Sequence, residues 1–123
     1  MTTLLVNCTH GREDVTSATL AFIVGNVAAA TSSDQDVVVL LTTEGIWLAT
    51  PGYADDIHLA GFPPLREVIR SFRSNGGQIW ACGCGACARQ RGIGEEQLIA
   101  GAKIVTAANV VERLVGGATT LDF

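Results

Sequence analysis

The run Asp36-Val-Val-Val-Leu-Leu-Thr42 restricts the fold of this chain more than any other segment. Its β-branched residues favour an extended backbone, and successive side chains of a strand point to opposite faces. A strand that is apolar on both faces must be covered on both, as a central strand of a parallel sheet is covered by helices.

The rest of the chain supplies the remaining layers. Thr3 to Cys8 reads as a first buried strand, closed by the turn Thr9-His10-Gly11. Asp14 offers an N-cap to a helix over Val15–Ala30 that is apolar on most faces, so it is expected to be buried or to face another subunit. Ile46 to Ala49 reads as a short extension and Pro51 to Gly61 as an irregular loop. Leu65, Val68, Ile69 and Phe72 follow i, i+3, i+4, i+7 spacing. Pro63 and Pro64 stand where proline is tolerated, and Asn75-Gly76-Gly77 ends that helix. Gln78 to Cys82 is a third strand. A short helix is expected over Cys84–Arg91, stopped by Gly92, and one more turn over Glu95–Ile99. Lys103 to Thr106 is a strand, and Thr106 is placed to cap a helix carrying Ala107, Val110, Val111 and Leu114. Thr119 to Phe123 is expected as an edge strand. Strands alternating with helices predict a single α/β domain over residues 1–123, a three-layer sandwich around a mainly parallel sheet of about five strands.

Composition narrows the function. Of the 123 residues, 48% are hydrophobic and only 16% charged, which favours burial against further copies of the chain. The net charge of −4, with no basic stripe, disfavours nucleic acid. No uninterrupted apolar run approaches the ~20 residues that span a bilayer. Met1 to Gly11 lacks the basic leader of a signal peptide. A cytoplasmic setting is expected, where thiols stay reduced and clustered cysteines signal redox or metal chemistry rather than structural disulfides.

The carboxyl ends of the strands, where such folds bind ligands, would collect Cys8, Thr43-Glu44-Gly45 and the segment Cys82-Gly-Cys84-Gly-Ala-Cys87. Cys84 and Cys87 form a Cys-x-x-Cys pair where a strand passes into a predicted helix. Free N–H groups and the helix dipole at that point favour the thiolate. Cys84 is the expected nucleophile and Cys87 a resolving or second sulfur-carrying thiol, while Cys82 sits at the strand end. Gly83, Gly85 and Ala86 leave the sulfurs open and let backbone N–H groups face an anion. His10, Gly11, Glu44, Gly85 and Arg89 are candidates for holding the incoming group. A metal reading remains open, with Cys82, Cys84 and Cys87 as ligands and Cys8, His10 or His58 as a fourth. So does a Cys84–Cys87 redox switch. Trp80 is expected in the core, Trp47 and Tyr53 at a pocket or subunit contact. Arg66, Arg70 and Arg73 lie at helical spacing and read as a solvated face.

The stretch Cys84-Gly-Ala-Cys87-Ala-Arg-Gln-Arg-Gly92-Ile93, followed by Leu98-Ile-Ala-Gly101-Ala-Lys-Ile-Val105, resembles the C-terminal half of DsrE-like sulfur-relay proteins. Asn7-Cys-Thr-His-Gly11 with Asp14, and Val37–Leu41 followed by Glu44-Gly45-Ile46, resemble the N-terminal half. The resemblance implies a flavodoxin-like fold and a trimeric or hexameric assembly. It also implies transfer of persulfide sulfur, between donor and acceptor proteins, through a cysteine at the position of Cys84. No cofactor is implied. The two extra cysteines beside Cys84 depart from the single-cysteine relay pattern.

Overall fold

The computed structural model describes residues 2–31, 35–83 and 87–123. Five strands, β1 (Thr2–Cys8), β2 (Gln35–Leu41), β3 (Gln78–Cys82), β4 (Ala102–Val105) and β5 (Thr119–Asp122), form one parallel sheet in the order β4-β3-β2-β1-β5. β2 runs in register with β1 from Thr2↔Gln35 to Cys8↔Leu41 and meets β3 from Val38↔Gln78 to Leu41↔Ala81. The expected central strand is thus β2, and the expected edge strand is β5.

Alternation along the strands sorts the core into two layers. Val6, Cys8, Val37, Val39, Leu41, Ile79 and Ala81 face the helices α1 (Val15–Thr31) and α2 (Leu65–Ser74). Leu5, Val38, Leu40, Trp80 and Val105 face the opposite side, where Val110 of α3 (Ala107–Val115) packs on them. This is the layered α/β arrangement that the pattern of elements predicts, and it is consistent with the flavodoxin-like fold that the resemblance implies.

Asp14 starts α1 as its sequence position suggests. Its carboxylate accepts from the Ser17 N–H at 3.1 Å and the Ser17 hydroxyl at 2.8 Å. The bond from the Ser17 N–H is the main reason that the Asp14 pKa lies below its ordinary value. The Phe22 and Phe72 rings of α1 and α2 meet edge to face at 5.9 Å. Each is fully buried, worth about 1.5–3 kcal/mol per side chain relative to exposure. α2 ends with Gly76 at φ +88°, a left-handed residue that lets the Gly77 N–H reach back to the Phe72 carbonyl at 2.9 Å.

Taken as one helical stretch, Arg12–Thr31 is long and apolar enough, by length and composition alone, to cross a membrane. Apolar runs in the sequence did not suggest this. The stretch lies against the sheet through Ala18, Ala21, Phe22 and Gly25.

Two local expectations are corrected. Ile46–Ala49 does not extend a strand; Thr43–Ala49 forms a 3-10 helix that buries Ile46, Leu48 and Ala49. The helix expected over Cys84–Arg91 is absent among the described residues, where 88–92 make turns instead. The Ile93 N–H bonds the Ala88 carbonyl at 2.9 Å with Gly92 at φ +70°, so the chain folds back to bury Cys87, Ala88 and Ile93 together. At the start of α3, Thr106 is the N-cap residue as expected, and the Asn109 side chain accepts from its N–H at 2.9 Å.

None of the residues of α3 is buried. Besides Val110, its attachment rests on Arg113, which forms an ion pair with Asp36 and lies 5.0 Å over the Trp80 ring. Arg113→Ala is expected to lower the unfolding free energy by about 1–3 kcal/mol, the range for a charge-assisted contact. Amide exchange should speed up in 107–115 before it does in β2.

Candidate functional site at the carboxyl ends of the strands

The connection that leaves β3 stays on the α1 and α2 side, where Cys87, Ala88 and Ile93 join the core, whereas the connection that leaves β4 becomes α3 on the other face. Adjacent connections therefore diverge between the carboxyl ends of β3 and β4. Open parallel sheets form their ligand crevice at such a point. A cavity of about 450 Å³ lies there, lined among others by Gly83, Ile104, Ala88, Arg89 and Ile93. Gly83 donates to the Val105 carbonyl at 2.8 Å, and a Cβ on it would strike the Ile104 side chain. Only glycine lets the two strand ends approach this closely.

Cys82 ends β3 half-buried, and its carbonyl accepts from the Ala88 N–H at 3.0 Å. Cys84 and Gly85 lie outside the described residues. The absence of a helix at 87–92 removes the dipole invoked for thiolate stabilisation, and a different donor appears. The Thr43 N–H points at the Cys87 sulfur, 3.4 Å away. Thr43 holds φ +50°, left-handed backbone that a β-branched residue avoids at a cost of about 1–3 kcal/mol. Its hydroxyl donates to the Thr9 carbonyl at 2.8 Å and so offsets part of that strain. Cys87 is 8% exposed. Its carbonyl accepts from Arg91 at 3.3 Å, and the other arm of Arg91 holds Glu44 at 2.9 Å. Arg91 thus ties Cys87 to the residues that follow β2, while Arg89 stays exposed at the cavity.

The loop after β1 closes the rim. The Cys8 carbonyl accepts from the Thr42 N–H at 3.1 Å and lies so close to Gly45 that a Cβ there would overlap it. Gly11 is packed beneath the Tyr53 hydroxyl and the Glu44 carbonyl, and its N–H is taken by Glu13. His10 remains at the surface with Nδ1 2.6 Å from Glu13, and that hydrogen bond raises its pKa above the ordinary imidazole value. Trp47 and Tyr53 stack at 6.3 Å, with Arg12 over the Tyr53 ring. His58 is turned to the Phe62 carbonyl, 2.7 Å away. Among the described residues, no three His, Cys, Asp or Glu side chains converge as a ligand set for a cation.

A model of the DsrE/DsrF-like family matches residues 3–123. The chain belongs to the DsrE/DsrF-like family. No curated protein matches it by sequence. Among solved structures, the ychN protein from E. coli superposes with a TM-score of 0.80 at 15% identity, covering 100% of both chains. A protein of unknown function from Methanobacterium thermoautotrophicum, MTH1491, superposes at 0.68 with 14% identity, covering 99% of this chain and 97% of that one. These likenesses concern the fold.

Within this DsrE/DsrF-like chain the structure brings together Cys87, Glu44, Arg91 and the Thr43 N–H, with Gly83 and Arg89 at the adjoining cavity. The left-handed Thr43 is what reading the sequence misses. Its position after a strand suggests a turn, but no residue pattern announces positive φ at a threonine. Cys8 is separated from this chemistry. It is fully buried and its thiol donates to the His10 carbonyl at 3.3 Å. Burial pushes its pKa up from 9.0 to about 11, the hydrogen bond with His10 opposing. The folded protein therefore keeps this proton after the unfolded chain has released its own. Stability should be unaffected by this thiol below about pH 9 and should fall by about 2–3 kcal/mol as the pH rises from 9 towards 11. Urea unfolding across that range should show the fall, and Cys8→Ala should flatten it.

Proposed function

We propose that this chain accepts persulfide sulfur and hands it on at the crevice between β3 and β4, with Cys84 as the receiving thiol and Cys87 as its partner. The observation that carries this reading is the Cys87 sulfur facing the Thr43 N–H, with the next two residues, Ala88 and Arg89, lining the cavity. The contact fixes where the Cys87 sulfur sits, and cysteine sulfur is the group through which sulfane sulfur is passed. Family membership supports the same chemistry.

The steps balance without an outside oxidant. The Cys84 thiolate attacks the outer sulfur of a donor persulfide, a new S–S bond forms, and the donor leaves as its thiolate. The Cys87 thiolate can then attack the outer sulfur of Cys84-S-SH and take it over, freeing the Cys84 thiolate. Attack on the inner sulfur instead releases hydrosulfide and leaves a Cys84–Cys87 disulfide. At 8% exposure Cys87 suits the internal step better than the encounter with a donor protein. Arg89, exposed at the cavity, is positioned to meet an incoming anion. A cytoplasmic setting suits chemistry that needs reduced thiols.

After incubation with a persulfide donor, intact-mass measurement should show a gain of one sulfur atom, and peptide mapping should place it on 82–91. Cys84→Ser should abolish the gain, and Cys87→Ser should keep it while slowing release to an acceptor thiol. An unchanged adduct on Cys84→Ser would overturn the assignment.

We infer further that the protein assembles with copies of itself, as a trimer or hexamer, through the face of α3 and β5. Val111 and Val115 are 52% and 82% exposed, and every residue of β5 is exposed. Val111→Glu with Val115→Glu should lower the mass seen by sedimentation and leave the circular dichroism spectrum unchanged.

A further inference from the structure

Three arginines of α2 gather at a second cavity, apart from the cysteine loop. Arg66, Arg70 and Arg73 stand at i, i+4 and i+7, one face of the helix, and all line a hollow of about 350 Å³. Its apolar wall is formed by Leu48, Ile69 and Ile99. The wall is tied down from two sides. The Ile99 N–H donates to the Ala49 carbonyl at 2.8 Å, and the Arg73 guanidinium donates to the Ala100 carbonyl.

The charge here runs against the rest of the protein. The chain is acidic, at −4, and has eight Lys and Arg residues. Arg12, Arg91 and Arg113 each hold a carboxylate, of Asp56, Glu44 and Asp36. Lys103 lies over the Trp80 ring. Among the described residues, no carboxylate forms an ion pair with Arg66, Arg70 or Arg73. Asp55 also lines the hollow, but it is exposed and pairs with none of the three. The Arg73 Nε is shielded from solvent without an acceptor. A buried donor with no partner is costly, and this one belongs to an arginine that lines the hollow.

We propose that this hollow binds a multiply charged phosphate-type oxyanion. Guanidinium groups bond phosphate oxygens in pairs, and three on one helix face neutralise a polyanion that a single arginine would not hold. The volume lies at the lower end of small-ligand pockets, room for a diphosphate with an organic group resting on Leu48, Ile69 and Ile99. The site is independent of the cysteine chemistry and uses none of its residues.

The test is calorimetric titration of the full chain with inorganic pyrophosphate and with ADP, at low salt and again at higher salt. Saturable one-to-one binding that weakens with salt is expected. In Arg66→Gln/Arg70→Gln the affinity should fall at least ~10-fold, since two charge-assisted contacts are removed. Both side chains are exposed, so the fold of the variant, checked by its melting temperature, should match the parent. Pyrophosphate binding as tightly as ADP assigns the site to the free oxyanion; tighter ADP binding assigns it to an organic phosphate. Equal affinity in parent and variant overturns the proposal. So does absence of binding by either probe, including the case where a polyglutamate peptide binds in an arginine-dependent manner, which would make the surface a docking site for acidic protein.

Discussion

Val37 to Leu41 are buried on both faces of the sheet, with β1 on one edge of the strand and β3 on the other. A strand clamped in four directions has almost no freedom to slide, because a one-residue slip would exchange its two apolar faces and break two ladders at once. Its carboxyl end is thus a fixed point. Thr42 bonds back to the Cys8 carbonyl, and Gly45 lies against that same carbonyl. The residue between them has little choice of backbone conformation. The left-handed Thr43, and with it the N–H directed at Cys87, follows from the rigidity of β2.

The same sheet gives two buried thiols different neighbours. Cys8 sits inside the α1 and α2 layer, where burial holds its proton. Cys87 lies on the same side but at the rim, within reach of a backbone donor and of a loop fastened by Arg91 and Glu44. Two cysteines on one side of one sheet thus have different neighbours, one sealed in the core and the other beside a backbone donor.

The architecture was largely legible in the sequence, because doubly apolar β2, the i, i+3, i+4, i+7 helix at Leu65 and the Asp14 cap are local signals with one physical meaning each. The convergence of Cys8, Thr43-Glu44-Gly45 and the cysteine segment on one rim followed from the parallel order. The short helix after Cys84 did not form over 87–92, since Ile93 gains more by turning back into the core than the segment gains from helical bonds. A loop dominated by one buried anchor is decided by tertiary packing, which periodicity does not record. Likewise the arginines of α2 read as a solvated face until Leu48 and Ile99, distant in sequence, closed a hollow over them.

Thr43 carries one further meaning. Glycine would take the same backbone angle with no strain, yet it would bring no hydroxyl to the Thr9 carbonyl. The threonine works as a latch between the loops after β1 and β2, closed from the side chain while the backbone pulls against it. The side-chain bond and the bond from Thr42 to the Cys8 carbonyl together hold the Thr43 N–H on the sulfur. A single side chain thus couples two loops that are far apart in sequence, and the sulfur at the rim inherits its position from both.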